Sequence, residues 1–159
     1  MKTWKDLPDS SRVWIYQCNR PMMDEICTKI KAKADDFVSG WNSHGSQLNA
    51  CVEIFYKTFI VFFVDESVAT ATGCSIDKSV HFIVEVEKEH NIFLMDRMML
   101  TYKKGDEMRF AQMPIFEEMV KDGVINADTI VFNNLVDSKA AFEKHWEVPL
   151  KESWHGQML

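Results

Sequence analysis

Apolar positions along this chain change period several times, and each change predicts an element. "RVWIYQC" (12–18) is rich in β-branched and aromatic residues after turn-like "PDSS", which predicts a strand. From "NRP" onward the spacing becomes helical: Met23, Ile26, Ile30, Ala34, Phe37 and Trp41 recur every three or four residues. A helix from about Met22 to Trp41 follows, with Pro21 suited to its start. "NSHGSQLN" is a loop by composition. "ACVEIFYKTFIVFFVDE" then reads as two antiparallel strands split near Lys57 and Thr58. The second is apolar enough to be a central strand covered on both faces.

A second helix is predicted from Ser75 or Ile76 to about His90, with Ile76, Val80, Ile83 and Val84 as its apolar stripe. "RMMLTYKKGDEMRFAQM" reads as a hairpin turning at Gly105, and "PIFEEMVKDG" as a short helix opened by Pro114 and closed by Gly123. "DTIVFNNLV" is a last strand and "SKAAFEKHW" a last helix capped by Ser138. The tail "EVPLKESWHGQML" has no clear period. Strand, helix, strand, strand, helix, strand is the order of a ferredoxin-like split β-α-β core. The expectation is therefore a single α+β domain over 1–159, βαββαβ with a C-terminal strand and helix extension.

Composition narrows the function classes. A chain of 159 residues suffices to bury about 70% of its unfolded surface. A net charge of −6 argues against binding nucleic-acid backbones, and the dense "KIKAK" (29–33) is followed at once by "DD". No apolar run reaches the roughly 18 residues that span a bilayer. "MKTWKDLPDSSR" lacks a signal-peptide core. Cys18, Cys27, Cys51 and Cys74 form no C-x-x-C pair, so no zinc or dithiol spacing is present. Four reduced thiols fit a cytoplasmic protein. No metal or cofactor is expected. A homodimer through a sheet edge is compatible with the pattern.

"ATATGCSIDKS" (69–79) looks like a phosphate-binding loop placed after "FIVFFVDE" (59–66). The loop G-x-x-x-x-G-K-[ST] works because its glycines let backbone N–H groups wrap phosphate. With Lys78 and Ser79 aligned, the glycine positions hold Thr72 and Asp77, and Asp77 would repel an anion. Asp65 and Glu66 together offer hard oxygen ligands, but without the further ligands a divalent cation needs.

Set on a helix instead, Ser75 is a cap and Cys74 lies by the helix N-terminus, a position that favours thiolate. Cys74, Asp77 and His81 share one polar face opposite the apolar stripe, which gives a nucleophile, an orienter and a base, with His44 as the other base. That face is expected to meet water unless a loop covers it. Trp41, His44, Glu152, Trp154 and His155 mix indoles with imidazoles, and Trp146 and Trp154 are expected to anchor the tail. The candidate ligand site joins Asp65, Glu66, Ser67, Ser75, Lys78 and Ser79 to Trp41, Trp154 and His155.

"RVWIYQCNRP", "DESVATATGCSIDKSVHFIVEVE", "TIVFNNLV" and "WEVPLKESWH" together resemble a bacterial family of short uncharacterised proteins sometimes labelled "ABC transporter ATPase". The resemblance covers nearly the whole chain and implies no catalytic residues. An ABC ATPase needs a P-loop and an LSGGQ-type signature, and this chain has neither. The expected function is binding of a small ligand or a protein partner. The alternatives are a thiol-dependent enzyme through Cys74 and nucleotide binding through Lys78 and Ser79.

Overall fold

The first strand forms as β1 (Arg12–Gln17), with Trp14 and Tyr16 on one face and Val13 and Ile15 on the other. The computed structural model describes residues 2–67 and 69–159 of the chain. Helix α1 (Asp24–Ser39) is shorter than the periodicity predicts. Met23 is its cap, extended and 67% exposed, while Met22 is buried. Helical spacing stops applying once the backbone leaves the helix, so Met23 drops out of the core stripe. Trp41 is buried from beyond the helix end for the same reason. The loop that follows holds a small hairpin, β2 (Asn42–Ser43) and β3 (Ser46–Gln47), turned by His44 and Gly45, both with positive φ.

Strands β4 (Asn49–Phe55) and β5 (Phe59–Asp65) form the antiparallel pair split where expected. Their turn uses Tyr56 and Lys57, both at φ 54°, without glycine. Left-handed backbone at such residues costs about 1–2 kcal/mol each. Tertiary contacts hold it: the Met22 N–H donates to the Lys57 carbonyl at 2.7 Å, and the Tyr56 ring packs on Phe132 and Trp146.

Strand β5 is buried at all seven positions and lies between β1 and β4, antiparallel to both. Ile60, Phe62 and Val64 face α1 and the second helix, α2 (Gly73–His90); Phe59, Val61 and Phe63 face the opposite core. Stacking of Phe82 on Phe37 at 4.9 Å fixes how α2 is rolled. Its buried positions are Ser75, Ser79, Phe82, Ile83 and Val86, rather than the expected stripe, of which only Ile83 is fully buried.

The second half is also α+β. Strands β6 (Met99–Lys104) and β7 (Glu107–Gln112) form the predicted hairpin, and α3 (Met113–Lys121) follows. Strand β8 (Ile130–Phe132) is cut short because Asn133 Oδ1 accepts the Leu135 N–H and turns the chain. Helix α4 (Lys139–His145) is capped by Ser138, whose Oγ accepts the Ala141 N–H at 3.1 Å. The tail adds β9 (Glu147–Pro149), so the second sheet runs β7-β6-β8-β9.

A ferredoxin-like sheet would place β6 beside β1. Here β6 pairs with β7 and β8 and, among the described residues, forms no ladder with β1. The two meet through a side chain instead, where Gln17 Nε2 donates to the Met99 carbonyl at 3.0 Å. No helix of the described residues is long and apolar enough to cross a membrane.

Candidate functional site

The start of α2 is built for capping. Thr72, not Ser75, is the N-cap; the Ser75 hydroxyl accepts the Thr72 N–H at 2.7 Å. Trp41 Nε1 donates to the Ser75 carbonyl at 2.9 Å, and the Ser43 hydroxyl reaches that of Thr72 at 3.3 Å. The Trp41 loop and the helix start therefore do meet, through contacts that hold the helix in place. Cys74, Asp77, Lys78 and His81 all point to solvent, and His44 is exposed at its hairpin tip. Among the described residues none of these five makes a side-chain hydrogen bond.

Lys78 and Ser79 serve opposite surroundings: Lys78 is exposed, whereas Ser79 is buried and donates to the Ile76 carbonyl at 2.6 Å. They do not form one phosphate clamp. Asp65 and Glu66 pin the loop between β5 and α2. Asp65 Oδ1 accepts the Ser67 N–H at 3.0 Å, Oδ2 accepts from Asn49, and a Glu66 oxygen accepts the Ala71 N–H at 2.9 Å. The Ser67 backbone and side chain, then Asn49, hold the Asp65 carboxyl below its ordinary value. Ser67 itself is exposed, and Val68 lies outside the described residues.

The tail goes elsewhere. His155 is 1% exposed, packs on Phe116 at 5.6 Å and shares a hydrogen bond with Ser153 at 2.7 Å. Burial pushes its pKa down to about 4, which keeps the ring neutral. Trp154 stacks on it, while Glu152 is exposed. No group of three or more His, Cys, Asp or Glu that could hold a metal exists among the described residues.

A different place gathers unused chemistry. Beside β1 lies a cavity of about 560 Å³, walled by Val13–Gln17, the segment Leu94–Arg97, β6 and the loop Phe132–Asp137, with Val80 and Trp154 closing its sides. That volume falls within the range of small-molecule sites. The Val13 N–H donates outward to the Asp137 carbonyl, whereas the Cys18 N–H donates toward β5 at Thr58. Alternation along the strand turns the Ile15 backbone groups outward too.

Four buried side-chain polar atoms among the described residues lack a hydrogen-bond partner, and two of them belong to residues of this wall, Trp14 Nε1 and Thr101 Oγ1, both atoms being closed off from solvent. Burial raises the Tyr16 phenol above its usual value, against the smaller opposing effects of polar contacts with the Ser79 and Trp14 side chains and of the Arg97 charge. Asn134 Nδ2 donates to Gln17 Oε1 at 2.9 Å and its Oδ1 accepts from Trp146 Nε1, which fixes the floor. Leu135, Met95 and Met98 stay exposed around or beside the rim.

No protein-family model matches the chain, and no curated protein or solved structure matches it.

Sequence reading missed Trp14, Tyr16, Arg97, Thr101 and Asn134. The first two read as ordinary strand residues. Their involvement depends on β1 having, among the described residues, no strand laddered along its outer side beyond a single bridge from Arg12 to Ser138, which no local pattern encodes. The one local signal is "LMDRMM" (94–99), where large apolar residues surround a charge without helical or strand period.

Proposed function

We propose that this protein is a small-ligand binding module whose site is the cavity beside β1. The observation that carries this reading is the cavity itself, about 560 Å³ beside the outer edge of β1, where apolar residues such as Ile15, Leu94 and Leu100 stand with Tyr16, Arg97 and Asn134. The thiol-dependent reading through Cys74, Asp77 and His81 or His44 has no comparable support, since those groups face water and, among the described residues, make no side-chain hydrogen bond. Nucleotide binding through Lys78 and Ser79 fares no better.

We read the first half as a split β-α-β unit of ferredoxin-like kind, from its β1-β5-β4 order, with the place of the fourth strand left to the cavity. Four free thiols support a cytoplasmic setting.

A fragment screen read by amide and indole NMR signals tests the site. The expected outcome is that hits shift Trp14, Tyr16 and Thr101 together. Hits that cluster instead on Cys74–His81, or on Lys31 and Asn49, would reject it.

A further inference from the structure

The outer edge of β1 begins a strand pairing that the chain does not complete, and the cavity lies where the pairing stops; the inference rests on the binding site proposed above. Arg12 and Ser138 form an antiparallel bridge. Beside it the Val13 N–H donates to the Asp137 carbonyl at 3.0 Å and the Lys139 N–H to the Ser11 carbonyl at 2.8 Å. In that register Leu135 is due opposite Ile15. It never arrives. The Leu135 N–H donates to Asn133 Oδ1 at 3.1 Å and the Val136 N–H to the Asn133 carbonyl at 3.3 Å. That turn carries the loop off the edge and leaves Leu135 74% exposed.

Ile15, half-buried, keeps an outward N–H and C=O. The register with β5 turns the backbone groups of Trp14 and Tyr16 toward β5, as the Cys18 N–H shows by donating to Thr58, and those of Ile15 away from it. Among the described residues neither Ile15 backbone group has a partner. The cavity meets the strand edge-on. Its wall takes Trp14 and Tyr16 from the face toward α2, and Val13 and Ile15 from the face toward Phe132. Buried Val13 and Gln17 bound the stretch, about 13 Å along the strand. At the Gln17 end its side chain closes the edge by bonding the Met99 carbonyl and Asn134.

We propose that the cavity takes a short extended peptide, one residue of which pairs with Ile15 in the register that Leu135 abandons. The edge already accepts extended chain at Asp137 and Ser138, so the peptide continues a ladder that is begun. A peptide residue carries a donor and an acceptor at the spacing that Ile15 presents. Its side chain falls on the face of Ile15, against Phe132 and Val136, and those of its neighbours fall on the other, against Val80 and Leu94. All four are apolar, so the peptide is apolar too.

The test uses the full chain, the capped peptide acetyl-valyl-leucyl-valinamide, and three analogues in which an ester oxygen replaces one of its backbone N–H groups in turn. Amide NMR shifts and hydrogen exchange along β1 are the readouts. In the free protein the Ile15 amide is expected to exchange at least about tenfold faster than those of Trp14 and Tyr16, which β5 holds, and the peptide slows it about tenfold. An ester at the N–H that faces Ile15 weakens binding about fivefold, whereas the ester beside it does not. Esters that all bind alike, while still moving β1 signals, would overturn the pairing and leave the pocket standing. An Ile15 amide as slow as that of Trp14 before peptide is added would show an edge closed by the protein itself, and would overturn the pairing too. If the peptide moves no β1 signal the peptide class falls, and the fragment screen decides the pocket: hits at Trp14 and Tyr16 keep it, and their absence removes it as well.

Discussion

The β1-β5-β4 sheet has two outer edges, and the molecule finishes them differently. Along β4 side chains match several polar groups. Lys31 Nζ donates to the Val52 carbonyl at 2.8 Å and to Asp35 at 2.6 Å, Lys2 reaches Asn49, and Asn49 bonds Asp65. The concavity there, about 550 Å³, is similar in size to the one beside β1. Its polar lining is occupied by its own neighbours, and Gln47 adds bonds to the carbonyls of Val38 and Leu48. Along β1 the backbone is paired at Val13, and beyond that point Trp14 Nε1 and Thr101 Oγ1 stand unmatched. Volume alone does not separate the two edges; the hydrogen-bond accounting does. An edge whose groups are satisfied internally is protected against pairing, whereas the β1 edge seals two side-chain polar atoms in without partners.

Both edges hang on β5, so the largest effect comes from its centre. Phe62 packs against Trp14, Tyr16, Trp41 and Phe82, and Phe62→Ala is expected to cost about 3–5 kcal/mol by urea unfolding. A markedly smaller cost would mean that the edges are supported separately.

Acid comes next. His155 sits beside Trp154, which walls the β1 cavity, and burial holds its pKa at about 4 against an ordinary 6.5. Above the ordinary value both states are neutral and the group contributes nothing to pH dependence. As pH falls below it, the unfolded chain takes up a proton that the folded chain refuses, so stability drops until about pH 4. The full loss is about 3 kcal/mol. His155→Phe should flatten the stability profile across that window. Asp65, whose value is depressed, loses its contribution lower, as pH falls from the ordinary carboxylate range through its folded value.

The two edges then separate by sign. Asp65→Ala strands the Asn49 amide and the Ser67 N–H at the β4 side, with an expected cost of about 1–3 kcal/mol. Thr101→Val removes a hydroxyl that has no partner, and is expected to be neutral or to stabilise by up to about 1 kcal/mol. Chemical denaturation of both variants checks the contrast. Equal destabilisation would erase the distinction between the edges.

How much of this was legible in the chain depends on the range of the interaction. "FIVFFVD" declared a strand covered on both faces, and the Ser138 cap followed from short-range chemistry. The solvent-facing side of α2 was legible too: Cys74, Asp77 and His81 fall where helical spacing puts them. Trp4 and Lys139 were not. Trp4 stacks on Phe63 at 5.0 Å, and the Lys139 ammonium bonds the Lys5 and Leu7 carbonyls at 3.0 and 2.8 Å, contacts more than a hundred residues apart for the lysine. Strand β9 escaped because three residues that include Pro149 carry no period of their own.

The sequence by itself determined the helices, the β4–β5 and β6–β7 hairpins and the burial of β5, because those depend on spacing within a window of residues. The tertiary structure alone decided that β6 joins β8 instead of β1. Strand partners are selected by packing across the whole chain, where Phe132 and Trp146 fill the face under Phe59 and the β8–β9 pair gives β6 another neighbour. The cavity follows from that choice, since it occupies the edge that β6 leaves unpaired.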